Sequence, residues 1–327
     1  MMHVMELSAE NAKGWLVRHG IDSEHGRFTS LGGGVSNHVI LAELPDRTLV
    51  IKQSLARLRV KDEWLSARDR IFREAAGMRW LGLRMGGGRV PQVLVEDCEN
   101  YTIAMEAAPE TAVMWKTRLF DGIMEPGDAR SAGTLLGSMV AVSHGSAEAE
   151  ALFGDQKVFD QLRIDPYYRT TASRHPAHAA YLAELMAESA SRRFSLTHGD
   201  WSPKNLLTDG HEMWVIDWEV IHYGDPAFDV GFLMNHLYLK SLVMPSRRAE
   251  LRALADTFLT AFEGVRPPAA AWVVEAGAMH LPALLLARVD GKSPAEYLNE
   301  AGRLEARRVA LRSIERRLRH PLEIFEI

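Results

Sequence analysis

The sequence predicts an α+β protein of two lobes, a small β-rich lobe followed by a large, mainly helical one. Short β-branched runs cluster between residues 27 and 53 and again between 92 and 106. A helical pattern lies between them. After Glu110, apolar residues recur at helical spacing almost without interruption. The division is expected at residues 1–108 and 109–327.

The elements follow in order. Ser8 to Val17 reads as a short capped helix. Leu31-Gly32-Gly33-Gly34-Val35-Ser36-Asn37-His38-Val39 is a glycine-rich turn between apolar segments. Thr48-Leu49-Val50-Ile51-Lys52-Gln53 is a strand in which Lys52 closes a β-branched run, and Phe72 to Met78 lies on a helix that carries Glu74. A second glycine-rich turn, Arg84 to Arg89, precedes Pro91, and Tyr101 to Glu106 forms a strand that runs into Ala107-Ala108-Pro109. Helices are expected at 127–145, 177–192, 226–240, 246–262, 268–288 and 294–319. One hairpin interrupts them, with strands 205–208 and 213–216 around an Asp209-Gly210 turn.

Composition narrows the function classes. The 327 residues are 47% hydrophobic, enough for two cores. Lysines and arginines number 38 against 43 acids, a formal charge of −5, which gives no electrostatic footprint for nucleic acid. Cys98 is the only cysteine, so an intrachain disulfide is impossible, which fits a cytoplasmic setting. The first twenty residues carry Glu6, Glu10 and Lys13 and lack an apolar stretch of signal-peptide length. The most apolar segment, Ala269 to Ala287, contains Glu275, His280 and Pro282 and reads as a buried helix, so no membrane span is expected. Oligomeric state leaves no mark in the sequence.

The richest chemistry lies in His198-Gly199-Asp200-Trp201-Ser202-Pro203-Lys204-Asn205, followed by Val215-Ile216-Asp217-Trp218. Phosphoryl transfer needs a carboxylate beside the acceptor hydroxyl and oxygen ligands for magnesium, all converging on one point. Asp200 stands at the position of a catalytic-loop Asp, and Asn205 and Asp217 at those of the two metal ligands. ATP and Mg2+ are the cofactors this implies. His198 fits a structural brace better than a base. Gly32, Gly33, Gly34 and Ser36 suit a turn that brings backbone N–H groups close to phosphates. Lys52 is placed like the lysine that pairs with the α- and β-phosphates, with Glu74 as its ion-pair partner. The strand ending at Met105-Glu106, with Ala108 beyond it, is the expected hinge, whose backbone would hold adenine. Met105 closes the back of that pocket, or is simply a core methionine.

The His-Gly-Asp and Asp-Trp-Glu triplets resemble those of the aminoglycoside phosphotransferase and choline kinase superfamily, as does Gly224-Asp225-Pro226-Ala227-Phe228-Asp229. The resemblance spans about residues 30 to 235 and implies a bilobal, protein-kinase-like fold. Residues 1–108 would then be the nucleotide-binding lobe, and 109–327 the lobe with the catalytic loop and acceptor site. It also implies a small-molecule hydroxyl acceptor, and that Asp229 braces the catalytic loop. Asp225 reads equally as a helix cap. Ile51-Lys52-Gln53, Glu63-Trp64 and Leu162-Arg163-Ile164-Asp165-Pro166-Tyr167 look like segments of 5-methylthioribose kinases, although the loop Asp-Trp-Ser-Pro-Lys-Asn departs from theirs.

By the same resemblance the acceptor pocket would draw on Trp201, Trp218, Glu219, His236, Arg288 and Asp290. Those side chains leave a sugar such as 5-methylthioribose, an aminoglycoside, or a choline-like or homoserine-like amino alcohol all open. A non-catalytic nucleotide-binding module is the rival of another class. Gly291-Lys292-Ser293 ends like a phosphate loop, but its flanks are helical and it reads as a turn. His175 and His178 read as solvated, and the C-terminal arginines as a charged helix face.

Overall fold

The structure, a computed structural model, describes residues 4–32, 36–59, 64–86 and 88–327. The chain divides into two compact units, Met1–Glu110 with Trp214–Val220, and Thr111–Met213 with Ile221–Ile327.

The first unit holds helix α1 (Ala9–Arg18), strands β1 (Arg27–Ser30), β2 (Asn37–Glu43) and β3 (Thr48–Ser54), helix α2 (Arg70–Met85), and strands β4 (Val93–Asp97) and β5 (Thr102–Glu106). The strands form one antiparallel sheet in the order β1-β2-β3-β5-β4. Register and the two-residue side-chain period sort the residues by face. Ile40 pairs with Ile51, Ala42 with Leu49 and Ile51 with Ala104. These residues share a core with Trp15 and Leu16 of α1. Lys52, one position on from Ile51, is carried to the opposite face, where α2 packs and presents Ile71, Glu74, Ala75 and Met78 as its buried stripe. Gly86 caps α2 at φ 66°, a left-handed position that glycine takes without strain.

The second unit opens with β6 (Val113–Met114), α3 (Trp115–Phe120), α4 (Pro126–Ser143), α5 (Ala147–Phe153) and α6 (Lys157–Phe159). A π-helical stretch, Asp160–Arg169, follows and runs into α7 (Thr170–Arg174). Next come α8 (Ala179–Ser191), β7 (Ser195–Thr197), β8 (Leu206–Thr208), β9 (Met213–Val215) and β10 (His222–Gly224). β7 pairs with β10 and β6 with β8, both antiparallel. β9 carries the chain into the first unit. The unit ends with α9 (Ala227–Val243), α10 (Arg248–Val265), α11 (Val273–Asp290) and α12 (Glu300–Arg316).

Glycines set how closely the helices approach. A Cβ on Gly133 of α4 would lie 2.2 Å from the Phe258 carbonyl of α10, and one on Gly231 of α9 would lie 2.9 Å from the Gly277 carbonyl of α11. α11 belongs to the apolar segment Pro268–Asp290, whose 23 residues have the length and composition to cross a membrane, yet 72% of its window is buried inside the fold.

The sequence pattern did not mark α3, α5, α6, α7 or the π-helical stretch, and its two largest boundary differences are helix starts. The last long helix starts at Glu300 instead of 294, because the Asn299 side chain accepts from the Gly302 N–H at 2.8 Å and caps it there. The helix expected from 268 begins regularly only at Val273, after a 3₁₀ turn at Pro268–Ala270.

Candidate active site

In the first unit four charged side chains meet. The Lys52 ammonium donates to Glu74 Oε1 at 2.9 Å and also to Asp217. Lys52 is 5% exposed and Glu74 fully buried. Burial opposes the Lys52 charge, but Asp217, Glu74 and Glu219 outweigh it and hold the lysine firmly protonated. The Glu74 carboxyl is pushed up to about 7 by burial, with Asp217 and Glu219 adding repulsion and Lys52 opposing it. Asp217 is one of three non-glycine residues with positive φ among those described, at 67°. That is a strained conformation for a side-chain-bearing residue, of the kind that gathers at functional sites.

Glu219 completes this group. Its carboxylate accepts from Ser36 Oγ at 2.7 Å, Asn37 Nδ2 at 2.9 Å and Arg70 Nε at 3.0 Å. Burial and Asp217 push its carboxyl up, but Arg70, Lys52 and the Asn37 hydrogen bond together hold it below the usual range. One oxygen each of Glu74, Asp217 and Glu219 lie within 4.8 Å of one another. Three hard oxygen donors at that spacing suit a divalent cation such as magnesium. Of the expected phosphate turn, Gly32 is exposed, Gly33 and Gly34 lie outside the described residues, and Ser36 is engaged with Glu219.

At the end of β5, Met105 is buried, Glu106 exposed and Ala108 half-buried. The N–H groups of Glu106 and Ala107 donate to the Gln92 and Thr48 carbonyls at 2.9 and 3.0 Å. The Ala108 N–H bonds to no acceptor among the described residues.

The second unit builds the loop 198–205. Asp229, in the first turn of α9, accepts the His198 N–H at 2.6 Å and the Gly199 N–H at 2.8 Å, one on each oxygen. Burial pushes the Asp229 carboxyl up to about 7, against those two hydrogen bonds. Gly199, at φ 78°, turns the chain. The Asp200 N–H then donates to His198 Nδ1 at 3.1 Å, so His198 braces the loop. Asn205 Nδ2 donates to the Asp200 carbonyl at 3.0 Å, which fixes the amide and points its oxygen the other way.

Asp200 is 4% exposed and faces two cations, Arg163 at 3.0 Å and Lys204 at 2.9 Å. Burial alone would raise its carboxyl. Lys204 and then Arg163 overcome that and hold it ionised. Arg163 also donates to the Gly199 carbonyl and, at 2.6 Å, to the Leu162 carbonyl. Sequence reasoning noted this arginine only within the Leu162–Tyr167 likeness and assigned it no role at the site. It comes from the π-helical stretch, whose wider turns often occur at functional sites. Pro166 within the aromatic run to Tyr168 was the available signal.

The remaining acceptor candidates are placed as follows. Trp201 and Trp218 are fully buried and present no ring face to solvent. Glu219 is bound up with Arg70. Asp290 is paired with Arg307 at 2.8 Å and with His175 at 2.8 Å, so that histidine is engaged and not solvated. His236 is buried in α9, and burial, followed by Lys240, Arg288, Lys204 and Lys116, pushes it well below the usual histidine range. Arg288 donates to the Ser293 carbonyl and hydroxyl. Lys292, in the rejected phosphate-loop segment, is paired with Asp165 at 2.8 Å.

A family model for a phosphotransferase enzyme family matches residues 27–272. Methylthioribose kinase of Escherichia coli is 25% identical over 261 residues, 71% of this chain and 62% of that protein, so the chain spans less than two thirds of that relative's length. Among solved structures, a choline/ethanolamine kinase family protein from Mesorhizobium loti superposes with a TM-score of 0.54 at 18% identity, covering 97% of this chain and 98% of that one. An amicoumacin kinase in complex with AMP-PNP, Ca2+ and Ami superposes with a TM-score of 0.58 at 14% identity, covering 96% and 93%. These likenesses establish a kinase-like fold with a β-sheet N-terminal region and a helical C-terminal region.

Proposed function

We propose that this chain, which belongs to the phosphotransferase enzyme family, is a small-molecule kinase that uses ATP and magnesium to phosphorylate a hydroxyl of a sugar or related polyol. The observation that carries this reading is the state of Asp200. It is a buried carboxylate kept ionised by Arg163 and Lys204, at the head of a loop locked by Asp229.

In the proposed reaction Asp200 orients the acceptor hydroxyl and takes its proton as the O–P bond forms. A loose transition state asks little of the base, so a low-pKa carboxylate suffices. Lys52, firmly cationic, would exchange its bond to Asp217 for the α- and β-phosphate oxygens while Glu74 steadies it. Asn205 and Asp217 would hold the metal, with the acids beside Asp217 available to it. Bound there, magnesium would neutralise charge developing on the transferred phosphoryl group. The unbonded Ala108 N–H would receive adenine, with Met105 behind it.

The chain's likeness to methylthioribose kinase favours a sugar acceptor. A cationic aminoglycoside or choline-like acceptor is disfavoured, because the candidate acids Glu219 and Asp290 are both spent on arginines. The test is magnesium-dependent ADP release from ATP with sugar acceptors, with Asp200→Asn as control. Release that the variant abolishes supports the reading. Magnesium-dependent ATP binding with no turnover of any hydroxyl compound would favour a non-catalytic module.

A further inference from the structure

The second unit gathers positive charge that no acid meets among the described residues. Lys240 of α9 is 1% exposed. Among the described residues its ammonium reaches only the His236 carbonyl of its own helix, at 3.4 Å. It stands 5.5 Å from the Phe120 ring centre and 5.7 Å from that of Tyr297, and the Lys116 ammonium lies 5.8 Å from the same Tyr297 ring. The charged groups acting on Lys240 are Lys116 and Arg288, both cations. A buried ammonium without a counter-ion is costly, and two neighbouring cations add to that cost.

Two further observations bear on this region. Among the described residues, Arg288 Nε and the Tyr297 hydroxyl are buried with no hydrogen-bond partner. The region is also tied to the loop carrying Asp200. The Lys116 N–H donates to the Pro203 carbonyl at 2.8 Å. Arg163, the partner of Asp200, lies 5.7 Å from the Phe232 ring centre, and that ring packs 5.1 Å from His236. A cationic, aromatic-lined region with unused donors, adjoining the loop that would activate a hydroxyl, suits a ligand's oxyanion.

We infer that the acceptor is an anion: a small polyhydroxy compound already bearing a carboxylate or phosphate, which Lys240, Lys116 and Arg288 hold while Asp200 faces its reactive hydroxyl. The inference rests on the kinase reading and sharpens it. Cationic acceptors would be repelled, and a neutral sugar would leave the buried charge uncompensated. Transfer is balanced without a further reactant: the γ-phosphorus bond to the β–γ bridging oxygen breaks, a bond to the acceptor oxygen forms, ADP leaves, and the hydroxyl proton goes to Asp200.

The experiment uses matched acceptors with magnesium and ATP: glucose, gluconate and glucose 6-phosphate; ribose, ribonate and ribose 5-phosphate; and 5-methylthioribose and choline. Within a matched set the anionic member should exceed the neutral one by about 100-fold in kcat/KM, and the carboxylate and phosphate arms identify which anion is read. Lys240→Met should raise KM for the anionic acceptor about 30-fold and change kcat far less, since the anchor is distant from the transferred group. Lys116→Gln, at a half-buried position that tolerates the change, should do the same more weakly. A merely structural Lys240 would leave KM unmoved in both variants. Neutral or cationic acceptors used as well as anionic ones, or an unchanged KM in Lys240→Met, would overturn the inference. If ATP is not turned over with any acceptor, the kinase reading fails separately. The inference is then decided by thermal stability: stabilisation by gluconate or glucose 6-phosphate that Lys240→Met removes supports it, and no stabilisation overturns it.

Discussion

Replacing Glu219 by Ala asks whether this residue is a scaffold group or an acceptor ligand. Arg70 and Glu219 are 1% and 5% exposed, so the substitution strands a guanidinium that cannot deprotonate. The lost acceptor served Arg70 Nε at 3.0 Å, Ser36 Oγ at 2.7 Å and Asn37 Nδ2 at 2.9 Å. Arg70 keeps its bonds to the Leu55 and Ala67 carbonyls at 3.0 and 2.9 Å, which compensate in part. Breaking a buried ion pair on one side costs about 3–5 kcal/mol. At this chain length that lowers Tm by roughly 4–7 °C. Thermal and urea unfolding, without nucleotide, measure it. Arg70→Met combined with Glu219→Leu should recover most of the loss, because a packed apolar pair replaces a satisfied ionic one at little cost. A loss under about 1 kcal/mol in Glu219→Ala, or a double variant no better than the single one, would refute the reasoning. A rise in acceptor KM at unchanged stability would return Glu219 to the acceptor side.

Four further predictions follow from other parts of the structure. Asp217→Ala and Asp200→Asn should each reduce magnesium-dependent ADP release at least about 100-fold while the protein stays folded by circular dichroism. Arg163→Met removes one of the two cations holding Asp200 ionised, so the acidic limb of the kcat/KM profile should move to higher pH, with kcat reduced about tenfold. Lys240 is pushed down from 10.5 to about 7 by burial, then by Lys116 and Arg288. The folded state therefore binds fewer protons than the unfolded one across that window, and stability should rise with pH from about 7 to 10 by up to ~1.4 kcal/mol per unit, an increment absent in Lys240→Met. Gly133→Ala would force a Cβ to 2.2 Å from the Phe258 carbonyl and should destabilise by about 2–3 kcal/mol in urea titrations.

How much of this was legible in the sequence depended on how local each relation is. The Asp209-Gly210 hairpin and the strand that carries Lys52 are written in short-range periodicity, and both formed within a residue or so of the expected bounds. The Lys52 to Glu74 ion pair was reachable from the order of glycine-rich turn, lysine, helix glutamate and catalytic loop. Arg163 was not reachable as a partner of Asp200. Its placement depends on a π-helical turn around Pro166, which helical or strand periodicity does not encode. The cations Lys116, Lys240 and Arg288 sit on α3, α9 and α11, so only the packing of those helices brings them together. Trp201 and Trp218 were acceptor-pocket candidates by resemblance alone, and both are fully buried.

Asp225 and Asp229 lie one helical turn apart at the start of α9. Asp225 meets His280 at 3.3 Å and Arg192 at 3.1 Å, and His280 Nδ1 meets the Tyr168 hydroxyl at 2.6 Å, within the stretch that also carries Arg163. Asp229 fixes the backbone of the loop bearing Asp200. The carboxylate and its arginine are thus registered against a single short ruler. A lineage can rework the residues proposed to meet the acceptor, on α3 or at the end of α11, without disturbing the alignment between this carboxylate and its arginine, and that separation would let one phosphotransferase scaffold change its clientele.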